Sequence, residues 1–219
     1  MSTFQESAGD SERLSQQSAL VAGLARMKIM LSDEQQRLLL AYLELLKRWS
    51  KAYNLTAVTD PREMVARHLL DSLSILPALR GRLFLDAGTG AGLPGVPLAI
   101  ARPDCRFILL DSNGKKIRFL RQVRRELGLD NIEPVQARLE TYRPEPPPDA
   151  IISRALAPLD RLVEWTAFWL DQGIPLLAMK SDRVESEIQG VRPPYNVRLD
   201  ELDIPGLRAR RCLATVEKQ

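Results

Sequence analysis

Leu83-Phe84-Leu85-Asp86-Ala87-Gly88-Thr89-Gly90-Ala91-Gly92-Leu93-Pro94-Gly95 is the stretch that decides the fold. A short apolar run enters alternating glycines and then a helix-forming segment, an order that brings backbone close to a ligand at the carboxyl edge of a sheet. Outward from it, helices are expected at 93–102, 115–127 and 159–170. Strands are expected at 105–110 (ending at Asp111), 132–137, 150–152 and 174–179. Such alternation means a parallel sheet with helices on both faces. At the end, 197–204 and 207–216 flank Pro205-Gly206 and read as an antiparallel hairpin at the sheet edge. Toward the N-terminus, Leu14, Leu20, Val21, Leu24, Met27 and Met30 or Leu31 recur at helical spacing. Ser32 with Gln35 forms a capping-box pattern, and Asp60-Pro61-Arg62-Glu63 opens a third helix running to about Leu76. The expected organisation is a disordered tail over 1–12, a helical cap over 13–79 and a ligand-binding core over 80–219.

The loop is not the dinucleotide pattern, whose third glycine belongs at position 93; here that position is leucine and the glycine comes early, at Gly92. Asp86 at the strand end repels a pyrophosphate and suits a cation. Asp111 ends the next strand and is placed to accept ribose hydroxyls. Arg138-Leu139-Glu140 follows the third strand, where an adenine edge lies in this architecture. A dinucleotide site and a purely structural turn remain open on the loop alone. The early glycine and both acids favour S-adenosylmethionine, which carries an ammonium and a sulfonium and no phosphate.

Of 219 residues, 45% are hydrophobic and 27% charged, the composition of a globular protein able to bury its own core. Cys105 and Cys212 are far apart, and His68 is the single histidine, so no histidine–cysteine metal site is expected. The polar start and the lack of a long apolar run lead us to expect a cytoplasmic protein without membrane contact. Net charge is only +3, but Lys115, Lys116, Arg118, Arg121, Arg124 and Arg125 crowd a stretch free of acids. Lys115, Arg118, Arg121 and Arg125 share one helical face, opposite Ile117, Leu120 and Val123. They read as phosphate contacts for RNA, against the plainer reading of a solvated face.

Lys51 to Thr56, Arg67 to Ser72, Asp86 to Pro97, Leu109 to Ser112, Arg118 to Leu120 and Ser153 to Ala155 together resemble the bacterial 16S ribosomal RNA guanine-N7 methyltransferase family, also called glucose-inhibited division protein B. The resemblance spans about residues 20–205. It implies an α/β, Rossmann-like class I methyltransferase fold: a mainly parallel seven-stranded sheet with an antiparallel C-terminal hairpin and an N-terminal helical cap. It also implies S-adenosyl-L-methionine as cofactor, guanine 527 of the 530 loop as target, and 16S rRNA or the 30S subunit as partner of a monomer. Cofactor contacts carried over by position are Gly88, Leu93, Leu139, Glu140 and Arg154, to be joined with Asp86, Gly90, Gly92 and Asp111 from the residues themselves. Leu156 stands where phenylalanine is common, and Arg210 to Gln219 match poorly.

Guanine N7 presents a lone pair and no proton, so alignment matters more than a general base. The sequence lacks an N-P-P-Y run after the fourth strand. In that place Arg154, and Lys180 at the end of the next strand, are expected to position the base through donors near O6. A small-molecule methyltransferase and a non-catalytic, cofactor-binding ribosome-assembly factor are the alternatives.

Overall fold

The computed structural model describes the backbone of residues 3–58 and 60–219, and the side chains of residues 11–58 and 60–219. Seven strands form one sheet in the order β3-β2-β1-β4-β5-β7-β6. They are β1 (Leu83–Ala87), β2 (Arg106–Asp111), β3 (Ile132–Gln136), β4 (Ala150–Arg154), β5 (Leu176–Lys180), β6 (Tyr195–Glu201) and β7 (Cys212–Lys218). The first five pair in parallel, while β7 runs antiparallel to both β5 and β6. Runs such as Phe107-Ile108-Leu109-Leu110 are buried throughout, as expected where helices cover both faces. The hairpin expected at the C-terminus is present, but Pro205-Gly206 lies inside a longer connection over 202–211. Its edge strand β6 carries Arg198, Asp200 and Glu201, charges that discourage pairing with another sheet.

Helices α5 (Gly95–Ala101), α6 (Gly114–Leu127) and α7 (Leu159–Leu170) follow β1, β2 and β4, and a short α8 (Val184–Ile188) not expected from the sequence follows β5. Helix α5 starts at Gly95 rather than at Leu93, because Leu93 and Pro94 still belong to the glycine turn. The two large core clusters lie on opposite faces of the sheet: Phe84, Phe107 and Leu109 on one, Leu85, Ile108, Leu162 and Trp169 on the other.

The N-terminal helices α1 (Thr3–Arg26) and α2 (Asp33–Tyr53) share the first of these clusters through Leu20, Leu24, Leu39, Tyr42 and Leu46. Met1 and Ser2 of the expected tail lie outside the described residues; from Thr3 onward the tail region is helical. Glu12 pairs with Lys47 of α2, and Gln16 donates to the Pro61 carbonyl, which ties this first part of α1 down. The helix ends at Arg26, and of the alternatives beyond it Met30 is exposed whereas Leu31 packs against the core; within the helix Leu14 and Val21, which fit the apolar stripe, are exposed at 64% and 48%. Periodicity alone marks them; the partner helix covers only the Leu20–Leu24 side.

Ser32 and Gln35 form the expected capping box, and Asp60 caps α3 (Pro61–Met64) by accepting from the Arg62 and Glu63 N–H groups. The long third helix does not continue as expected. Val65–Leu70 winds as a π-helix before α4 (Asp71–Leu73), and Leu76–Ala78 is a 3-10 turn. Asn54 ends α2 in the left-handed conformation, so Tyr53-Asn54-Leu55-Thr56 acts as a helix terminator. No helix among the described residues is long and apolar enough to cross a membrane.

Candidate active site

Strands β1 and β4 are neighbours at which the strand order reverses, and ligands bind outside the carboxyl ends of strands at such a point. The glycine loop leaves β1 there. Asp86 is fully buried and organises it: Oδ2 accepts from Thr89 Oγ1 at 2.6 Å and from the Gly95 N–H at 2.8 Å. A Cβ at Gly95 would lie 2.3 Å from Leu109, so only glycine lets α5 seat this closely on the sheet. Burial raises the Asp86 carboxyl to about 6, opposed by these two hydrogen bonds, and Oδ1 has no partner among the described residues. The cap helix reaches the same loop, with the Tyr42 hydroxyl donating to the Ala91 carbonyl at 2.8 Å.

Beyond the loop a cavity of about 480 Å³, of nucleoside size, opens between Gly88, Asp111, Lys116, Leu139, Glu140 and Trp165. The structure therefore brings Gly88, Asp111, Leu139 and Glu140 together, as the sequence suggested. Asp86, Gly90, Gly92 and Leu93 do not line it; they shape the turn behind it. Gly90 instead donates its N–H to Asp111 Oδ2 at 3.0 Å. Lys116 adds a contact to the same oxygen at 3.2 Å, and the Asn113 N–H donates to Oδ1 at 2.8 Å. One lone pair of Oδ1 is left for a hydroxyl; a second hydroxyl requires the half-exposed Lys116 ammonium to move aside. Trp165, which sequence reasoning missed, is the single aromatic ring on the wall. The Asp111 carboxylate, with Leu139 and Trp165, suits a ribose and a flat, uncharged base, so the residues fit the adenosyl moiety of S-adenosylmethionine.

Arg154 and Lys180 border a second cavity, of about 470 Å³, with His68, Asp71, Glu187 and Arg211. Arg154 Nη1 lies 2.7 Å from Asp71 Oδ2 and donates to the Arg67 carbonyl at 2.9 Å. That carbonyl belongs to the π-helical turn, a geometry enriched at functional sites. Arg211 reaches the other Asp71 oxygen at 3.3 Å. Lys180, nearly buried, contacts Glu187 at 2.8 Å and the Ala157 carbonyl at 2.6 Å. Burial and the nearby Arg154 charge push the His68 imidazole down to about 4, so it is neutral at physiological pH; its Nε2 sits 2.9 Å from Thr56 Oγ1. Arg211 had no signal in the sequence, because it lies in the segment that resembles the family poorly.

Helix α6 starts at the first cavity and runs away from it. Lys115, Arg118, Arg121 and Arg125 are all exposed, and none forms an ion pair among the described residues, whereas Lys116 pairs with Asp111. Among the described residues no group of histidine, cysteine and acidic side chains is placed to hold a metal ion.

A family profile described as rRNA small subunit methyltransferase G matches residues 35–212. The ribosomal RNA small subunit methyltransferase G of Stutzerimonas stutzeri is 52% identical over 204 residues, covering 91% of this chain and 94% of its own. The protein of that name from Enterobacter sp. strain 638 is 48% identical over 195 residues, covering 89% of this chain and 94% of its own. In fold, the chain is similar to an S-adenosylmethionine-dependent methyltransferase of Aquifex aeolicus, with a TM-score of 0.52 at 17% identity over 75% of this chain and 97% of that one. With a class I methyltransferase sheet, a cavity suited to the cofactor at its switch point and these relatives, the chain belongs to the rRNA small subunit methyltransferase G family.

Proposed function

We propose that this protein transfers the methyl group of S-adenosylmethionine to N7 of guanine 527 in the 530 loop of 16S rRNA. Family membership carries the coarser statement, that it is an S-adenosylmethionine-dependent rRNA methyltransferase. The observation that supports the finer one is the second cavity, where Lys180 is paired with Glu187 and Arg154 and Arg211 share Asp71.

When bound, S-adenosylmethionine supplies an electrophilic methyl on its sulfonium. The protein's part is to hold the acceptor in line with it. N7 attacks through an in-plane lone pair and loses no proton, so no general base is required. His68, pushed down to about 4 by burial and the nearby Arg154 charge, is a weak base, in keeping with a reaction that needs none. The product base gains a positive charge, which an unpaired cation beside N7 would oppose. Arg154 is held on Asp71 and Lys180 on Glu187, so both offer N–H donors toward O6 with much of their charge offset. Gly88, Leu139, Glu140 and Asp111 hold the cofactor, and Asp86, Gly90, Gly92 and Leu93 keep the loop in shape.

A-form RNA hides N7 in a deep, narrow groove, so the target guanine must be unpaired or extruded. Lys115, Arg118, Arg121 and Arg125 are assigned to the phosphates flanking it. The test is methyl transfer from labelled S-adenosylmethionine to 30S subunits, and to naked 16S rRNA, that lack the native mark. Label mapping to N7 of guanine 527 is the expected result. Label on another nucleotide, or on small molecules alone, overturns it.

A further inference from the structure

The two cavities share only two bordering residues, Ala155 and Leu156. If one holds the cofactor and the other the target base, the methyl group crosses at this turn. Ala155 stands at φ +52°, a left-handed conformation that is strained for a non-glycine residue and persists only where the surroundings impose it. The surroundings do so from both sides. Upstream, Arg154 is clamped by Asp71 and the Arg67 carbonyl; downstream, the Ala157 carbonyl is held by Lys180.

The pinned turn sends the Leu156 side chain onto the glycine loop. A Cβ at Gly88 would fall 2.4 Å from Leu156 Cδ1, so leucine and the Gly88 backbone are already in full contact. Leu156 is nevertheless 37% exposed, a large apolar side chain at the mouth of both cavities. Packing inside the protein therefore gives little reason to hold it so firmly.

We propose that Leu156 is a positioning residue for methyl transfer, an apolar wedge against Gly88 that sets the passage between the cofactor cavity and the base cavity. This rests on the functional reading above. Transfer needs the reacting atoms about 3–3.5 Å apart and in line, and a displacement of about 1 Å costs about a hundredfold in rate. The wedge fills the space beside that line and keeps water and off-axis poses out of it.

Leu156→Ala and Leu156→Phe, measured in the full chain, test the assignment. For Leu156→Ala, kcat for 30S methylation falls about tenfold to a hundredfold. KM for S-adenosylmethionine and the calorimetric affinity for S-adenosylhomocysteine stay within about threefold, and Tm is unmoved. Leu156→Phe, which refills the wedge, restores kcat. An unchanged kcat in Leu156→Ala overturns the proposal. So does a loss confined to cofactor affinity, which makes Leu156 a simple wall contact. Wild-type protein that binds S-adenosylhomocysteine but labels no rRNA overturns the functional reading and this inference with it. Wild-type labelling with a fully active Leu156→Ala overturns this inference alone.

Discussion

Asp86 reads in the sequence as an acid suited to a cationic ligand. In the structure its Oδ2 is engaged with Thr89 and Gly95, so its first task is to hold the turn that puts Gly88 at the cavity. Burial raises its carboxyl to about 6, above the unfolded value near 3.8. The folded chain therefore binds a proton here more tightly than the unfolded one. Asp86 costs no folding free energy below pH of about 4, and its cost grows as pH rises to about 6, reaching on the order of 3 kcal/mol. Asp86→Asn removes that charge. The stability difference between the variant and wild type, followed by urea denaturation from pH 4 to 7, should shift in the variant's favour as pH rises. A difference that is flat across this range contradicts the assignment. Asp111 and Asp86 look alike in sequence, each closing a strand. Only the tertiary neighbours separate the one at the cavity wall from the one behind the loop.

Among the elements, α6 shows how far a pattern can be read. Its boundaries, its buried Ile117, Leu120 and Val123 and its exposed basic face all follow from the residue order. Replacing Lys115, Arg118, Arg121 and Arg125 by glutamine should lower the slope of log affinity against log salt for rRNA by about 0.7–0.9 for every phosphate that is no longer neutralised. Binding of S-adenosylhomocysteine should be unaffected, since none of the four lines the cavity. An unchanged salt slope means that this face is merely solvated. The segment 61–73 shows the limit of such reading. Its caps are legible in Asp60 and Pro61, but the π-helical winding is not. Arg154, at the end of β4, and Arg211, just before β7, meet this segment at the Arg67 carbonyl and Asp71, contacts from far along the chain that no local propensity encodes.

At the scale of the whole molecule, the cap and the sheet are one packed body. Leu20 and Leu24 of α1 are buried in the same cluster as Phe84 and Phe107, and Gly23 sits so close to Leu70 that a Cβ would lie 2.3 Å from it. Gln35 of α2 donates to the Ile100 and Ala101 carbonyls at the end of α5. Leu24→Ala should accordingly destabilise the entire chain by about 2–5 kcal/mol, in a single transition seen alike by circular dichroism and tryptophan emission. Two separated transitions, with the later one unmoved, show instead that the cap unfolds by itself.

The residue order by itself determined the alternation of strands and helices, the glycine loop, the acids at the strand ends, the capping signals and the basic face of α6. These depend on periodicity and on backbone freedom, which are local properties of the chain. Which apolar stripe residues are core was settled by the partner surface: Leu14 and Val21 fit the helical period yet remain exposed. The tertiary structure alone brought Asp71, Arg154 and Arg211 together, placed Trp165 on the wall of the cavity beside the glycine loop and set Leu156 against Gly88. Those contacts join residues tens of positions apart, and their energies exist only once the sheet has fixed the distance between them.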